Sequence, residues 1–198
     1  MHQQFAIVVL SALCSVALAA ADAAAGSERS GLVKGRGGAD LTLVGPALEV
    51  GKPAPSATLR DNALHPIVCA WNDGVVRIVT TAPSLDTPTC SKQAHAFSAR
   101  AGALAGKIEV VYVSRDLPFA QSRFCAAEGI TGIRVLSDYY DASFAHAWGL
   151  FLKENGLLAR AAVVVDGQGI VRYIQIVPEL SKEPDYDQVL AAAKLQLH

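Results

Sequence analysis

The chain has 198 residues, with 17 Lys+Arg against 18 Asp+Glu and a formal net charge of −1. That balance gives no basic field for nucleic acid or for an anionic membrane surface. With 52% hydrophobic and 18% charged residues it is too apolar for a disordered chain, and four cysteines are too few for a disulfide-built scaffold. One globular domain with some extra length remains.

Phe5 to Ala19 form an uncharged apolar run of 15 positions, short of the roughly 20 residues that span a bilayer. Ala17 and Ala19 then make an A-x-A pattern. This reads as a signal peptide over residues 1–19, which implies a periplasmic or otherwise exported mature chain with no stable membrane association. An uncleaved anchor is the alternative, because His2-Gln3-Gln4 carries no Lys or Arg. A lipoprotein cysteine at Cys14 is disfavoured by the bulky Leu13 before it. Removal of the segment leaves Cys69, Cys90 and Cys125. An odd number in an oxidising compartment keeps at least one thiol unpaired or reserved for chemistry.

Residues 20–38, rich in Ala and Gly, read as a flexible leader, and residues 39–198 as the folded domain. Leu41–Val44, a Gly45-Pro46 turn and Ala47–Val50 predict a β-hairpin. Strands are expected at 75–80, 108–113 and 133–136, and helices at 88–104, 117–128 and 143–148. Asp116 is the expected cap of the second helix, with Pro118 in its first turn and Gly129 as its stop. A hairpin at 161–176, turning through Asp166-Gly167-Gln168-Gly169, and a helix at 185–195 complete the domain. Strand–helix alternation followed by a hairpin and a last helix predicts an α/β fold, a central mixed β-sheet flanked by helices, with the N-terminal hairpin as an extension.

The stretch Pro83-Ser84-Leu85-Asp86-Thr87-Pro88-Thr89-Cys90 holds the most chemistry. Thr87 suits an N-cap, Pro88 suits N1, and Cys90 then falls at N3. A sulfur there faces free backbone N–H groups and the positive end of the helix dipole, which favour a thiolate. An ordinary thiol of pKa near 8.5 is only about 3% ionised at pH 7, so such help matters. Cys125 falls near the C-terminal end of the next helix, where fraying costs little. Spacing alone accommodates both a static Cys90–Cys125 disulfide and a mobile second thiol. His65, His95 and His146 are scattered without ligand spacing, and no phosphate-binding glycine motif is present, so neither a metal nor a cofactor is expected. Cys69 reads as a buried apolar residue.

These residues carry a resemblance. PSLDTPTC is similar to the P-x-x-x-T-x-x-C motif of peroxiredoxins. DLPFAQSRFCAAEGI from Asp116 to Ile130 resembles the resolving-cysteine helix of their thiol peroxidase subfamily, the atypical two-cysteine peroxiredoxins. GLLARA at 156–161, Pro184-Asp185-Tyr186 and the LTLVGPALEVGKPAP segment match it in the same order. The resemblance implies a thioredoxin-like fold and reduction of hydrogen peroxide and organic hydroperoxides. It makes Cys90 the peroxidatic cysteine, Cys125 the resolving cysteine of an intramolecular disulfide, Thr87 and Arg160 the groups on the sulfur, and Pro83 its shield from water. It also implies a homodimer recycled by thioredoxin or a similar dithiol donor. The segment between Arg60 and Gly74, with Cys69 and Trp71, departs from the family pattern. A thioredoxin-like disulfide exchanger is a rival, weakened by the lack of C-x-x-C. A non-catalytic exported domain stapled by Cys90–Cys125 is another.

Overall fold

The computed structural model describes residues 26–197 apart from Ala105, so the expected signal segment and the start of the leader lie outside the described residues. The elements in chain order are β1 (Glu28–Lys34), β2 (Asp40–Val44), β3 (Ala57–Arg60), β4 (Pro66–Cys69), β5 (Val76–Thr81), α1 (Pro88–Leu104), β6 (Ile108–Ser114) and α2 (Pro118–Glu128). They continue with β7 (Arg134–Ser137), α3 (Ser143–Ala147), β8 (Phe151–Leu152), β9 (Ala161–Val165), β10 (Val171–Ile176) and α4 (Tyr186–Lys194).

Seven strands form a sheet in the order β10-β9-β5-β6-β7-β3-β4, and β1-β2-β8 form a smaller one. β5, β6 and β7 run parallel, with Val79 opposite Val111 and Val113 opposite Leu136. β9 lies antiparallel to β5 and β10 antiparallel to β9. Strands covered on both faces need apolar side chains in both directions, which is why VRIVTT, IEVVYVS and AAVVV are nearly continuous apolar runs.

The two faces of the sheet have different covers. Ile78, Val110, Ala162 and Val164 pack with Phe97 and Leu104 of α1 and with Val189 and Ala193 of α4. Val79, Val111, Val113 and Val163 pack with Trp71, Phe144 and Trp148 and with Val33, Leu41 and Leu43 of the small sheet. Each such large side chain, taken out of water, contributes about 1.5–3 kcal/mol. The mixed sheet between helices is as expected, and the predicted helix and strand positions fall within a residue or two of those observed.

The N-terminal hairpin exists with different strands. β2 pairs with β1, Leu43 opposite Arg29 and Leu41 opposite Val33, so residues 28–34 of the expected leader form a strand and bury Val33 completely. The glycine run at 35–38 is the hairpin's turn, with Gly37 and Gly38 at positive φ. Ala47–Val50 forms no strand. At Gly45 the chain instead presses against the end of α3, where a Cβ would stand 2.1 Å from the His146 carbonyl oxygen. The segment after Arg60 supplies a further hairpin, β3–β4, pairing Leu59 with Ile67 and Ala57 with Cys69.

Candidate active site

β5 ends at Thr81, and the loop from Ala82 to Thr87 delivers the chain into α1. Pro88 opens that helix, and the Thr87 carbonyl accepts from Ser91 N–H at 2.9 Å, so Thr87 holds the N-cap place as expected. Its hydroxyl, however, is not spent on a backbone N–H. It lies 2.8 Å from Cys90 Sγ and 3.3 Å from the Ser84 carbonyl, with one proton to serve either. Cys90, three residues on, has no exposed surface.

Arg160 arrives from the far side, just ahead of β9, and is only 1% exposed. Its Nη2 donates to Cys90 Sγ at 3.2 Å and to the Leu180 carbonyl at 2.8 Å, and Nη1 donates to Gln93 Oε1. Gln93 is itself fully buried and donates from Nε2 to Thr80 Oγ1 at 2.6 Å and to the Thr81 carbonyl at 3.2 Å. The guanidinium is therefore held from two sides while one N–H points at sulfur. A cation and a hydroxyl on one buried sulfur stabilise negative charge there. Pro83 is buried in the loop beside them. Tyr112 donates to the Cys90 carbonyl at 3.3 Å, and burial pushes its phenol well above the ordinary range, so it keeps the proton it donates.

Cys125 sits on α2, half-buried. With Phe124 it packs against the cluster of Ala82, Leu85, Cys90, Ala94, Tyr112 and Ile130, so the two cysteines border one apolar patch. Burial pushes its thiol up. Three residues later the helix stops at Glu128, and Gly129 takes φ 64°, its N–H returning to the Cys125 carbonyl. Cys125 also lines a groove of about 290 Å³ with Gln121, Ile130, Ile133 and Asp61. Both thiols are free.

All five residues singled out in the sequence are accounted for: Cys90, Thr87 and Arg160 meet at one sulfur, Pro83 is buried in the adjoining loop, and Cys125 borders the same cluster. Gln93 was missed, although its place one turn after Cys90 puts it on the same face of α1. Asp116 does not cap α2. Leu117 is the N-cap residue and has no side-chain acceptor to offer, while both Asp116 carboxylate oxygens are taken by Ser84, Leu85 and Ser114. His95 lies away from the sulfur and pairs with Glu128 at 3.0 Å. Cys69 is 8% exposed in the cluster on the opposite face of the sheet, a buried residue as expected.

A mixed sheet that presents a buried cysteine in the first turn of a helix, under a guanidinium and a hydroxyl, defines a thioredoxin-like thiol oxidoreductase. The redoxin family model matches residues 49–190. The thiol peroxidase of Clostridium acetobutylicum is 42% identical over 157 residues, 79% of this chain and 94% of that protein. That of Bacillus subtilis is 41% identical over 157 residues, 79% and 93% of the two chains. A peroxiredoxin-like protein from Aquifex aeolicus superposes with a TM-score of 0.77 at 37% identity, over 87% of this chain and all of that one. A thiol peroxidase from Chromobacterium violaceum shares the fold, with a TM-score of 0.73 at 18% identity over 82% and 95% of the two chains. The chain belongs to the redoxin family and is a peroxidase of its thiol peroxidase group, the peroxiredoxins. This kinship gives no support to the non-catalytic domain held by a structural disulfide.

Proposed function

We propose that the protein is an exported thiol peroxidase that reduces hydrogen peroxide and organic hydroperoxides at Cys90. The observation that carries this is the pair of donors on one buried sulfur, Thr87 Oγ1 at 2.8 Å and Arg160 Nη2 at 3.2 Å. The Cys90 thiolate attacks the terminal peroxide oxygen. The O–O bond breaks, the sulfur gains an oxygen as sulfenic acid, and the leaving oxygen takes a proton to become water or an alcohol. Arg160 and Thr87 lie where they can stabilise charge passing from sulfur to that leaving oxygen. The apolar cluster around Cys90 and the buried Pro83 keep water from competing for the same donors.

Cys125 then attacks the sulfenic sulfur. An S–S bond forms, the S–O bond breaks, and the hydroxyl leaves as water with the thiol proton. Because Cys90 is sealed, this step requires local opening, and the Gly129-terminated end of α2 is the segment where it costs least. Thioredoxin or a similar dithiol donor reduces the disulfide, and two copies of the chain associate as a homodimer. Residues 1–19 act as the signal peptide, and residues 39–198 form the catalytic domain, with β1 adding to it from the leader.

Stopped-flow consumption of hydrogen peroxide by wild type, Cys90→Ser and Cys125→Ser tests the reading. Cys90→Ser should abolish turnover, and Cys125→Ser should allow a single oxidation of Cys90 with no disulfide. Peroxide consumption by Cys90→Ser at the wild-type rate overturns the assignment.

A further inference from the structure

Assigning Cys90 and Cys125 to one catalytic cycle, the reading on which the following rests, requires the peroxidatic loop and the resolving helix to open together. One hydrogen-bond network joins them. Asp116, in the bend between β6 and α2, accepts from Ser84 Oγ at 2.7 Å through Oδ1. Through Oδ2 it accepts from Leu85 N–H at 2.8 Å and from Ser114 Oγ at 2.7 Å. Ser84 and Leu85 belong to the loop that leads to Cys90, and Leu85, 2% exposed, forms part of the wall around that sulfur.

The chain of contacts continues into α2. Gln121 Nε2 donates to Ser114 Oγ at 2.9 Å and to the Leu136 carbonyl at 3.0 Å. Gln121 is 3% exposed and stands one helical turn before Cys125, on the same face of α2. The Asp116 carbonyl, in turn, accepts from Ser137 Oγ, which ties the bend to the end of β7. The carboxylate therefore stands between the loop of one thiol and the helix of the other. The Asp116 oxygens, its carbonyl included, bond to Ser84, Leu85, Ser114 and Ser137 and to neither sulfur.

We propose that Asp116 is a positioning residue that couples the peroxidatic loop to the resolving helix. With its bonds made, Leu85 stays in place and Cys90 faces Thr87 and Arg160, the arrangement that attacks peroxide. For the disulfide to form, the loop must leave the carboxylate, so the same bonds oppose resolution. Two fates compete for the sulfenic acid. Cys125 can displace its hydroxyl as water, or the sulfenate can attack a second hydroperoxide, gaining an oxygen as sulfinate and releasing water or alcohol. Asp116 sets the ratio of these fates, because it sets how readily the loop opens.

The test measures that ratio with the full chain. The protein is turned over in hydrogen peroxide with excess dithiothreitol, and mass spectrometry gives the disulfide and sulfinic fractions of Cys90 against peroxide concentration. In Asp116→Ala the concentration that overoxidises half of Cys90 should rise on the order of tenfold, a modest share of what losing both loop bonds to a charged group, from Ser84 and Leu85, can shift. In a Cys125→Ser background, Asp116→Ala should slow the first oxidation of Cys90 by a similar, about tenfold, factor. Ser84→Ala, which removes one bond and leaves the carboxylate, should shift the ratio the same way by less. It and Asp116→Asn also read the effect should Asp116→Ala fold poorly.

A role confined to stability would lower the melting temperature and leave the ratio alone. An unchanged ratio in Asp116→Asn and Ser84→Ala, with a wild type that oxidises and resolves normally, overturns the coupling while the peroxidase assignment stands. A wild type whose Cys90 is never oxidised overturns both.

Discussion

Replacing Arg160 by methionine tests the chemistry of the site most directly, because the side chain keeps much of its bulk and loses its charge. Nη2 stands 3.2 Å from Cys90 Sγ, and Arg160 is 1% exposed. At that separation two unit charges attract by about 5 kcal/mol at an effective dielectric near 20, most of which is offset by desolvation. The net value of a hydrogen bond to a charged partner is about 1.5–3 kcal/mol. Losing a donor to charge that develops in a transition state costs about 10²- to 10³-fold in rate. Arg160→Met should therefore slow oxidation of Cys90 by roughly 10²- to 10³-fold, measured as a single turnover in the Cys125→Ser background. It also leaves the Leu180 carbonyl and Gln93 Oε1 without these donors, which should cost about 1–3 kcal/mol of stability for each buried acceptor. Circular dichroism must show the variant folded at the assay temperature. Arg160→Lys should fall between wild type and Arg160→Met, since one ammonium cannot span the sulfur, Gln93 and Leu180 together. A folded Arg160→Met that oxidises at the parental rate refutes the role given to the guanidinium.

Thr87→Val removes the hydroxyl from the sulfur and should slow the same single turnover about tenfold, whereas Thr87→Ser should retain it; equal rates for the valine and serine variants refute the contact. Asp138 is 1% exposed, and burial raises its carboxyl to about 6 despite N–H bonds from Phe144 and Ala145. The folded state thus binds this proton more tightly than the unfolded chain, so the stability it contributes is full below about pH 4 and is lost as pH rises through about 6, a change of about 3 kcal/mol. The melting-temperature gap between wild type and Asp138→Asn should shift over that window against the wild type, and a constant gap refutes the assignment. Cys69→Ala should leave peroxide turnover unchanged and lower the melting temperature, because Cys69 packs on the sheet face away from Cys90; lost turnover refutes that separation. Cys69 is 8% exposed with its thiol pushed up to about 11 by burial, whereas Cys125 is half-buried, so iodoacetamide at pH 8 should label Cys125 well before Cys69 in the native protein.

The parts of the fold legible in the sequence were those whose pattern records local physics. The apolar runs of β5, β6 and β9 mark strands buried on both faces, and Pro118 and Gly129 mark the ends of α2 by what their backbones permit. The N-terminal hairpin was legible as a hairpin but not in its strands. Val33 is a single buried residue in ERSGLVK, too weak a pattern to outweigh the glycines after it. The close approach of Gly45 to α3, which directs the chain away from a second strand, depends on residues about a hundred positions away. Among site residues, Thr87 and Cys90 were readable from helix-start chemistry. Arg160 needed the family resemblance, because nothing local in GLLARA sends a guanidinium under α1. Gln93 and Asp116 act through partners far apart in sequence, and Asp116 could be mistaken for a helix cap because a carboxylate before a proline-started helix has the same local pattern.

Cys90 has no solvent-accessible area. A sulfur closed even to water is reached only when its wall moves, and the two-oxygen head of a hydroperoxide, scarcely wider than water, needs a far smaller opening than a protein disulfide or a bulky alkylating agent. The enclosure thus sorts reagents by girth before electronic reactivity matters. A strongly nucleophilic group can then persist among many electrophiles and be consumed by the slimmest of them.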